Sequence, residues 1–400
     1  MTTRASRIPW PRFVTVLVAI AAVGAASALI RLLLGLGATT SMNDGYPWGL
    51  WIAADVVVGT ALATGGYALA LLIYILNRGR YHPLIRPAIV ASALGYSLAG
   101  VSVALDVGRW WLIWKVPLFF WRWNLHSVLL EVALCIMAYT GVLWIEASPP
   151  FLERAARTGP AWLRPYAARS KALLERALIW IVALGILLPT MHQSSLGTLM
   201  YLAGPRLHEL WRTPFLPLLY LLSAIGMGYA VVLFESILSN RLHGRTPDLK
   251  MLGGLGLALL PFMGAYLIVR IGDFAWRGLL GTLVSFDVFS VMVWAELALI
   301  VVPGLMIWQG RRHPRLGTLT RAALLMMAGG AVYRFDTYLL AFQPGAHWSY
   351  FPSVLEIAVT AGLFSFEVLA FVAIVHWFPA LSAEAVPAGA REAHAAGRPA

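Results

Sequence analysis

Charge is what this 400-residue chain lacks most: only 12% of its residues are Asp, Glu, Lys or Arg, while 60% are hydrophobic and the mean hydropathy is +0.75. Soluble domains carry about 25% charged residues, so a water-soluble globular fold is excluded. Acidic residues are scarcer than basic ones, 18 against 30, which leaves a formal net charge of +12. The excess does not form a nucleic-acid surface, because the arginines stand in short loops between apolar runs and not along one face or one tail. The single cysteine, Cys135, excludes an internal disulfide and a cysteine-ligated iron–sulfur cluster held by this chain alone.

What the chain has instead is long apolar runs. About 20 such residues cross the hydrocarbon of a bilayer, which predicts ten helices near 13–37, 50–76, 87–107, 125–147, 175–201, 214–239, 250–271, 281–309, 319–341 and 353–378. The fold class is therefore all-α integral membrane, a polytopic domain over 13–378 between a cytoplasmic N-terminal segment, 1–12, and a disordered cytoplasmic tail, 379–400. The first run follows Arg4, Arg7 and Arg12 and exceeds a signal-peptide core, so it reads as a retained anchor. Lys and Arg concentrate at the two termini and in alternate loops, so the positive-inside rule places both termini in the cytoplasm of a bacterial inner membrane. The tryptophan-rich loop "DVGRWWLIWKVPLFFWRWN" on the opposite side reads as an interfacial segment. "GGYALALLIYILNRGRYHP" at 65–83 and "GMGYAVVLFESILSNRLHGRTP" at 226–247 share Gly-Tyr-Ala, an apolar stretch and Asn-Arg, four helices apart. That weak repeat implies two parallel four-helix bundles, approximately 50–201 and 214–341, with flanking helices.

Ionisable groups inside a bilayer cost several kcal/mol on insertion scales of about 2.5–3.5 each, and they mark pathways or pairs. Asp55, Asp106, His126, Glu131, His192, Arg270, Asp287, Arg334, Asp336 and Glu356 fall in or near the periplasmic half, whereas Glu296 and Glu367 lie near mid-span and Glu235 near a cytoplasmic end. Glu131 and Glu146 share one helix and roughly one face, which suits a proton relay with Glu146 at the cytoplasmic end. The alternative for Glu131 is a structural acid paired with Arg270 or Arg334. In "PTMHQSSLGTLMYL", residues 189–202, Pro189 frees a carbonyl, and His192, Gln193 and Ser194 offer donors and acceptors close to the interface. That chemistry suits a quinone, whose two carbonyls accept hydrogen bonds while its tail lies in lipid. The competing reading is a histidine snorkelling at a helix end. His126, Asp106, Arg270 and Arg334 join the quinone-site candidates on placement alone. Haem b needs two axial ligands, and only His126 and His192 lie at suitable depth, so neither haem nor an iron–sulfur cluster nor a metal site is expected in this chain.

"LLPTMHQSSLGTLMYL", the helix opening "WRWNLHSVLLE" and the ten-span pattern resemble the NrfD/polysulfide-reductase family of membrane subunits, and within it the HybB-type subunits of [NiFe] hydrogenases. The resemblance covers the chain apart from its tails. It implies two four-helix bundles that exchange electrons between the quinone pool, menaquinone or ubiquinone, and a periplasmic ferredoxin-like iron–sulfur subunit. It carries the family's intramembrane glutamate onto Glu131 and its fifth-helix histidine onto His192. The partners implied are that iron–sulfur subunit and the large and small [NiFe] hydrogenase subunits, with hydrogen chemistry performed by them and not by this chain. A subunit of a molybdenum-enzyme complex, polysulfide or DMSO reductase-like, and a secondary transporter are the alternative functions. A transporter is disfavoured by the lack of matched interrupted helices and by the one-sided polar residues.

Overall fold

The computed structural model describes residues 10–242 and 246–377, so the expected tail 379–400 and most of the N-terminal segment 1–12 lie outside the described residues. Ten helices among the described residues are long and apolar enough to span a membrane: α1 (Arg12–Leu34), α2 (Trp51–Ile75), α3 (Gly79–Asp106), α4 (Val128–Ala147), α5 (Arg164–Leu202), α6 (Leu216–Arg241), α7 (Leu249–Trp276), α8 (Val288–Gln309), α9 (Leu316–Leu340) and α10 (Val354–Val375). Helices alone satisfy every backbone group without water, which is why apolar runs of this length adopt them in lipid. The chain is a multi-pass membrane protein.

Three expected starts move: α3 begins at Gly79 and not at 87, α5 at Arg164 and not at 175, and α8 at Val288 and not at 281. Helix α5 begins eleven residues before the expected 175, because "RPYAARSKALLERA" is helical but too polar to register as an apolar run; Pro165 occupies its first turn, where no N–H is needed. Lys171 in this extension pairs with Glu153 of a short surface helix, Pro149–Thr158, at 3.1 Å. Helix α2 is not a plain α-helix: it winds as wide π turns over Trp51–Val58 and Leu71–Ile75 and turns sharply at Ala63 and Thr64. The Thr64 hydroxyl donates to the carbonyls of Ala61, at 2.6 Å, and Ala224, at 2.8 Å, covering the break from a neighbouring helix. Its counterpart by the repeat, α6, is continuous.

Helices α2 to α5 pack as one bundle and α6 to α9 as a second, joined where α6 lies against α2 and α5. The repeated Gly-Tyr-Ala segments meet at this joint. A Cβ on Gly228 would stand 2.7 Å from Thr64 Oγ1 and 2.8 Å from the Thr64 carbonyl, and one on Gly65 would stand 3.0 Å from Val232. Small residues let backbones approach in lipid, where packing and not hydrophobic exclusion joins helices. Helices α1 and α10 form an antiparallel pair beside the bundles, closest at Gly24, where a Cβ would lie 2.5 Å from Gly362 Cα. The face on which α1 begins and α10 ends is the terminal face, and the opposite one the far face. At the far face Arg31 donates to the carbonyls of Leu105 and Val107, and Trp51 to that of Glu356, so the ends of α1 and α3 and the starts of α2 and α10 share one level.

Candidate functional site

Most of the polar side chains singled out above enter buried networks that link helices. In α5, Pro189 leaves the carbonyl of Gly185 without its usual partner, and the following turn faces inward: His192 and Gln193 are wholly buried. His192 Nε2 lies 3.2 Å from Thr60 Oγ1 on α2, and the same hydroxyl accepts from Gln193 Nε2 at 3.2 Å. Tyr96 of α3 sets its ring edge-on to His192, with centroids 5.5 Å apart, and His192 Nδ1 has no hydrogen-bond partner. Gln193 Oε1 in turn accepts from Arg334 Nη2 of α9 at 3.2 Å.

Arg334 crosses between the bundles. Its guanidinium also donates to Ser223 Oγ at 3.1 Å and to the carbonyl of Tyr220 at 3.0 Å, and it lies over the Tyr220 ring, 5.0 Å from the centroid. Among the described residues no carboxylate stands within ion-pair distance of it, so carbonyl oxygens, hydroxyls and a ring face carry the solvation of this charge.

Glu131 sits in the first turn of α4, at the far face, where the helix N-terminus favours negative charge and Ser127 caps the Leu130 N–H. It does not pair with Arg270 or Arg334. Ser195 Oγ donates to Glu131 Oε1 at 2.7 Å, so the partly exposed carboxyl is tied one turn beyond His192 on α5. Glu146, at the other end of α4, approaches the same helix: a Cβ on Gly185 would stand 2.8 Å from its Oε1. The two acids therefore both face the α4–α5 seam. Ser194 turns back on its own helix and donates to the Thr190 carbonyl.

The other candidates lie elsewhere. His126 is exposed in the segment before α4, its N–H bonded to Asn124 Oδ1, and does not approach His192. Asp106 ends α3 beside Arg31 and Glu356, next to the flanking pair. Arg270 belongs to a separate ion cluster in the second bundle. It bonds Glu296 Oε2 at 3.3 Å and the Leu210 carbonyl at 2.9 Å; Trp211 Nε1 donates to Glu296 Oε1 at 2.7 Å, and Asp336 faces Glu296. Sequence reasoning missed Thr60, the hydroxyl that joins His192 to Gln193. Its signal was a lone Thr in "DVVVGTALATGG", which apolar flanks make easy to pass over.

Residues 38–343 match the family described as polysulphide reductase, NrfD. The chain belongs to the NrfD family. It is 38% identical over 356 residues to the probable Ni/Fe-hydrogenase 2 b-type cytochrome subunit of Escherichia coli, covering 88% of each chain. It is 28% identical to the menaquinone reductase integral membrane subunit of Nitratidesulfovibrio vulgaris, covering 88% of this chain and 87% of that one. With a selenate reductase subunit of Mesobacillus selenatarsenatis it shares 26% identity over 66% of this chain and 64% of that one. This NrfD-family chain is thus a membrane subunit of the kind found in oxidoreductase complexes, with redox partners and a hydrogenase-associated homologue.

The expectation of a haem-free chain is corrected by the first of these relatives: a b-type cytochrome subunit at 38% identity points to haem. The sequence offers only His126 and His192 at suitable depth for axial ligation. Among the described residues His192 is the one histidine buried within the spans, with Thr60 on Nε2 and Tyr96 against its ring. That is one enclosed imidazole and not a facing pair, so these side chains do not form a bis-histidine haem site.

Proposed function

We propose that this NrfD-family chain is the quinone-reactive subunit of a respiratory complex, with a [NiFe] hydrogenase as its catalytic partner, in a bacterial cytoplasmic membrane with the far face periplasmic. The observation that carries the reading is the partly exposed Glu131–Ser195 hydrogen bond, which lies one turn along α5 from the separate buried network of His192, Thr60, Gln193 and Arg334. A quinone becomes a quinol by taking two electrons and two protons. Electrons would come from a periplasmic ferredoxin-like iron–sulfur subunit fed by the large and small hydrogenase subunits; this chain performs no hydrogen chemistry. Glu131 stands where a carboxyl can exchange a proton with a headgroup-level substrate, and Ser195 fixes the orientation of that carboxyl. Glu146, on the same seam near the terminal face, is the residue placed to resupply protons from the cytoplasm. The identity to a hydrogenase-associated relative supports that partner over a molybdenum enzyme, and the name of the second relative supports menaquinone.

Glu131→Gln in the assembled complex tests the reading. Hydrogen oxidation with a soluble dye should stay at the wild-type rate, because the dye takes electrons before the membrane step, while quinone reduction falls at least tenfold and Glu131→Asp keeps part of it. Full quinone reduction by the Gln variant would reduce Glu131 to a helix-end acid held by a serine.

A further inference from the structure

We propose that the seam between the α1–α10 pair and the two bundles conducts protons, through Glu235, Glu367 and Asp55, along a route separate from the α4–α5 seam. A cavity of about 700 Å³ opens there, walled by α1, α2, α3, α6, α9 and α10. Glu235 of α6 and Glu367 of α10 both line it. From Glu367 a neck of about 10 Å³, bounded by Gly59, Gly95 and Phe364, leads to Asp55 of α2. The two spaces have Gly59, Phe364 and Glu367 in common in their walls, so they adjoin at Glu367.

The three acids descend like steps. Asp55 is four residues from the far-face start of α2, Glu367 thirteen from that of α10 and Glu235 nineteen from that of α6, or about 6, 20 and 29 Å at roughly 1.5 Å per residue. Asp55 is 94% buried, since its exposure is 6%. Its Oδ2 accepts from Ser102 at 3.2 Å and Thr360 at 3.1 Å, while its Oδ1 has no partner in the protein. A buried carboxylate oxygen with no donor at the edge of a recess is a place for water or a proton. Among the described residues no Lys, Arg or His forms an ion pair with any of the three, so these acids are not structural halves of salt bridges. Beyond Asp55, Ser102 and Asp106 lie one turn apart on α3 and lead to the far face, where Asp106 Oδ1 is also unpartnered and Arg31 and Glu356 stand nearby.

Size selects what can pass. A water needs about 10–15 Å³ of such space, so the neck admits one water between Asp55 and Glu367 and excludes hydrated ions and organic solutes. That separates a proton route from the transporter alternative. Gly95 borders the neck at a close approach of α3 to α2: a Cβ there would stand 2.6 Å from Ala63 Cβ and 3.1 Å from Glu367 Oε1.

The proposal rests on turnover being coupled to proton movement. The assembled complex in sealed vesicles, driven by hydrogen and a short-chain quinone with a trapped pH indicator, reads both steps. Glu367→Gln is expected to reduce quinone within twofold of wild type when an uncoupler is present, yet to move at least tenfold fewer protons per electron, with Glu367→Asp intermediate. Wild-type proton yield in Glu367→Gln overturns the route, as it would if a lipid tail filled the cavity, and leaves the quinone reading intact. Loss of quinone reduction in wild type would instead sink the functional reading. A second measurement needs no quinone: a hydrophobic carbodiimide, which modifies protonated carboxyls in apolar surroundings, should label Glu367 or Glu235 of the wild-type complex by peptide mass spectrometry. No labelling at either would also overturn the proposal.

Discussion

The Arg270 cluster allows a quantitative test of how this protein keeps a buried charge. Arg270 and Glu296 are both fully buried, 3.3 Å apart, and the guanidinium is flanked by Phe274 and Tyr333, 4.7 and 5.4 Å from its centre. Removing one partner of such a pair costs about 3–5 kcal/mol, because a guanidinium cannot lose its proton to escape. Asp336 changes that expectation, since it faces Glu296 within Coulomb range of Arg270. In Glu296→Gln the amide oxygen can still accept from Trp211 Nε1 and Asp336 remains as counter-ion, so the loss should be about 1–2 kcal/mol, near that of one charge-assisted hydrogen bond. Asp336→Asn alone should cost about 1 kcal/mol or less, since Glu296 remains. The double variant leaves Arg270 with no anion and should cost about 3–5 kcal/mol. The excess over the sum, about 2 kcal/mol, is roughly a 30-fold shift in the folding equilibrium. Unfolding in mixed micelles titrated with a denaturing detergent, followed by tryptophan fluorescence, measures all four proteins. Strict additivity of the two single losses would refute the idea that the acids substitute for one another.

Three further outcomes follow from the geometry. His192→Ala should lower quinone reduction with dye-linked hydrogen oxidation preserved, and unchanged quinone kinetics in an assembled variant would leave His192 a packing residue. Gly228→Val should weaken the joint between the bundles by about 1–3 kcal/mol, the usual cost of overpacking, because its Cβ would meet the Thr64 hydroxyl and carbonyl at 2.7 and 2.8 Å; unaltered detergent resistance would mean that α2 yields at its break. His208, between α5 and α6, has its pKa lowered by burial, against the opposing charges of Glu209 and Asp287. Its Nδ1 accepts from Leu210 N at 3.3 Å and its ring stacks on Phe289 at 4.1 Å. A folded pKa below the unfolded value means that its contribution is fully present above about pH 6.5 and is lost as pH falls from there through the lower folded pKa. Melting temperature should therefore drop on acidification below about pH 6.5 more steeply in wild type than in His208→Gln, and parallel curves would count against it.

Much of the candidate site was legible as residue types and depth, but not as pairs. The polar turn after Pro189 announces itself by interrupting an apolar run, and a carboxyl three residues into α4 does the same. Nothing in the linear order says that Glu131 meets Ser195 and not an arginine, or that Arg334 has no acid partner among the described residues. Asp106, Arg270 and His192 share a depth and so fell together by sequence. In the fold they occupy the flanking seam, the second bundle and the interior of the first bundle.

Hydrophobic run length and the placing of charge, both local properties, determined by themselves that the chain is a multi-pass membrane protein, with ten candidate spans among the described residues, because lipid offers no partner for backbone groups and each span must satisfy its own. Sequence also supplied the repeat whose glycines meet at the joint. Only the tertiary structure decided the rotation of each helix about its axis and therefore which neighbour each polar group faces. A turn of 100° per residue means that an uncertainty of one or two residues in register carries a side chain from one neighbouring helix to the next. The π turns and the break in α2 alter that register partway along the helix, and with them the direction of Asp55, Thr60 and Thr64.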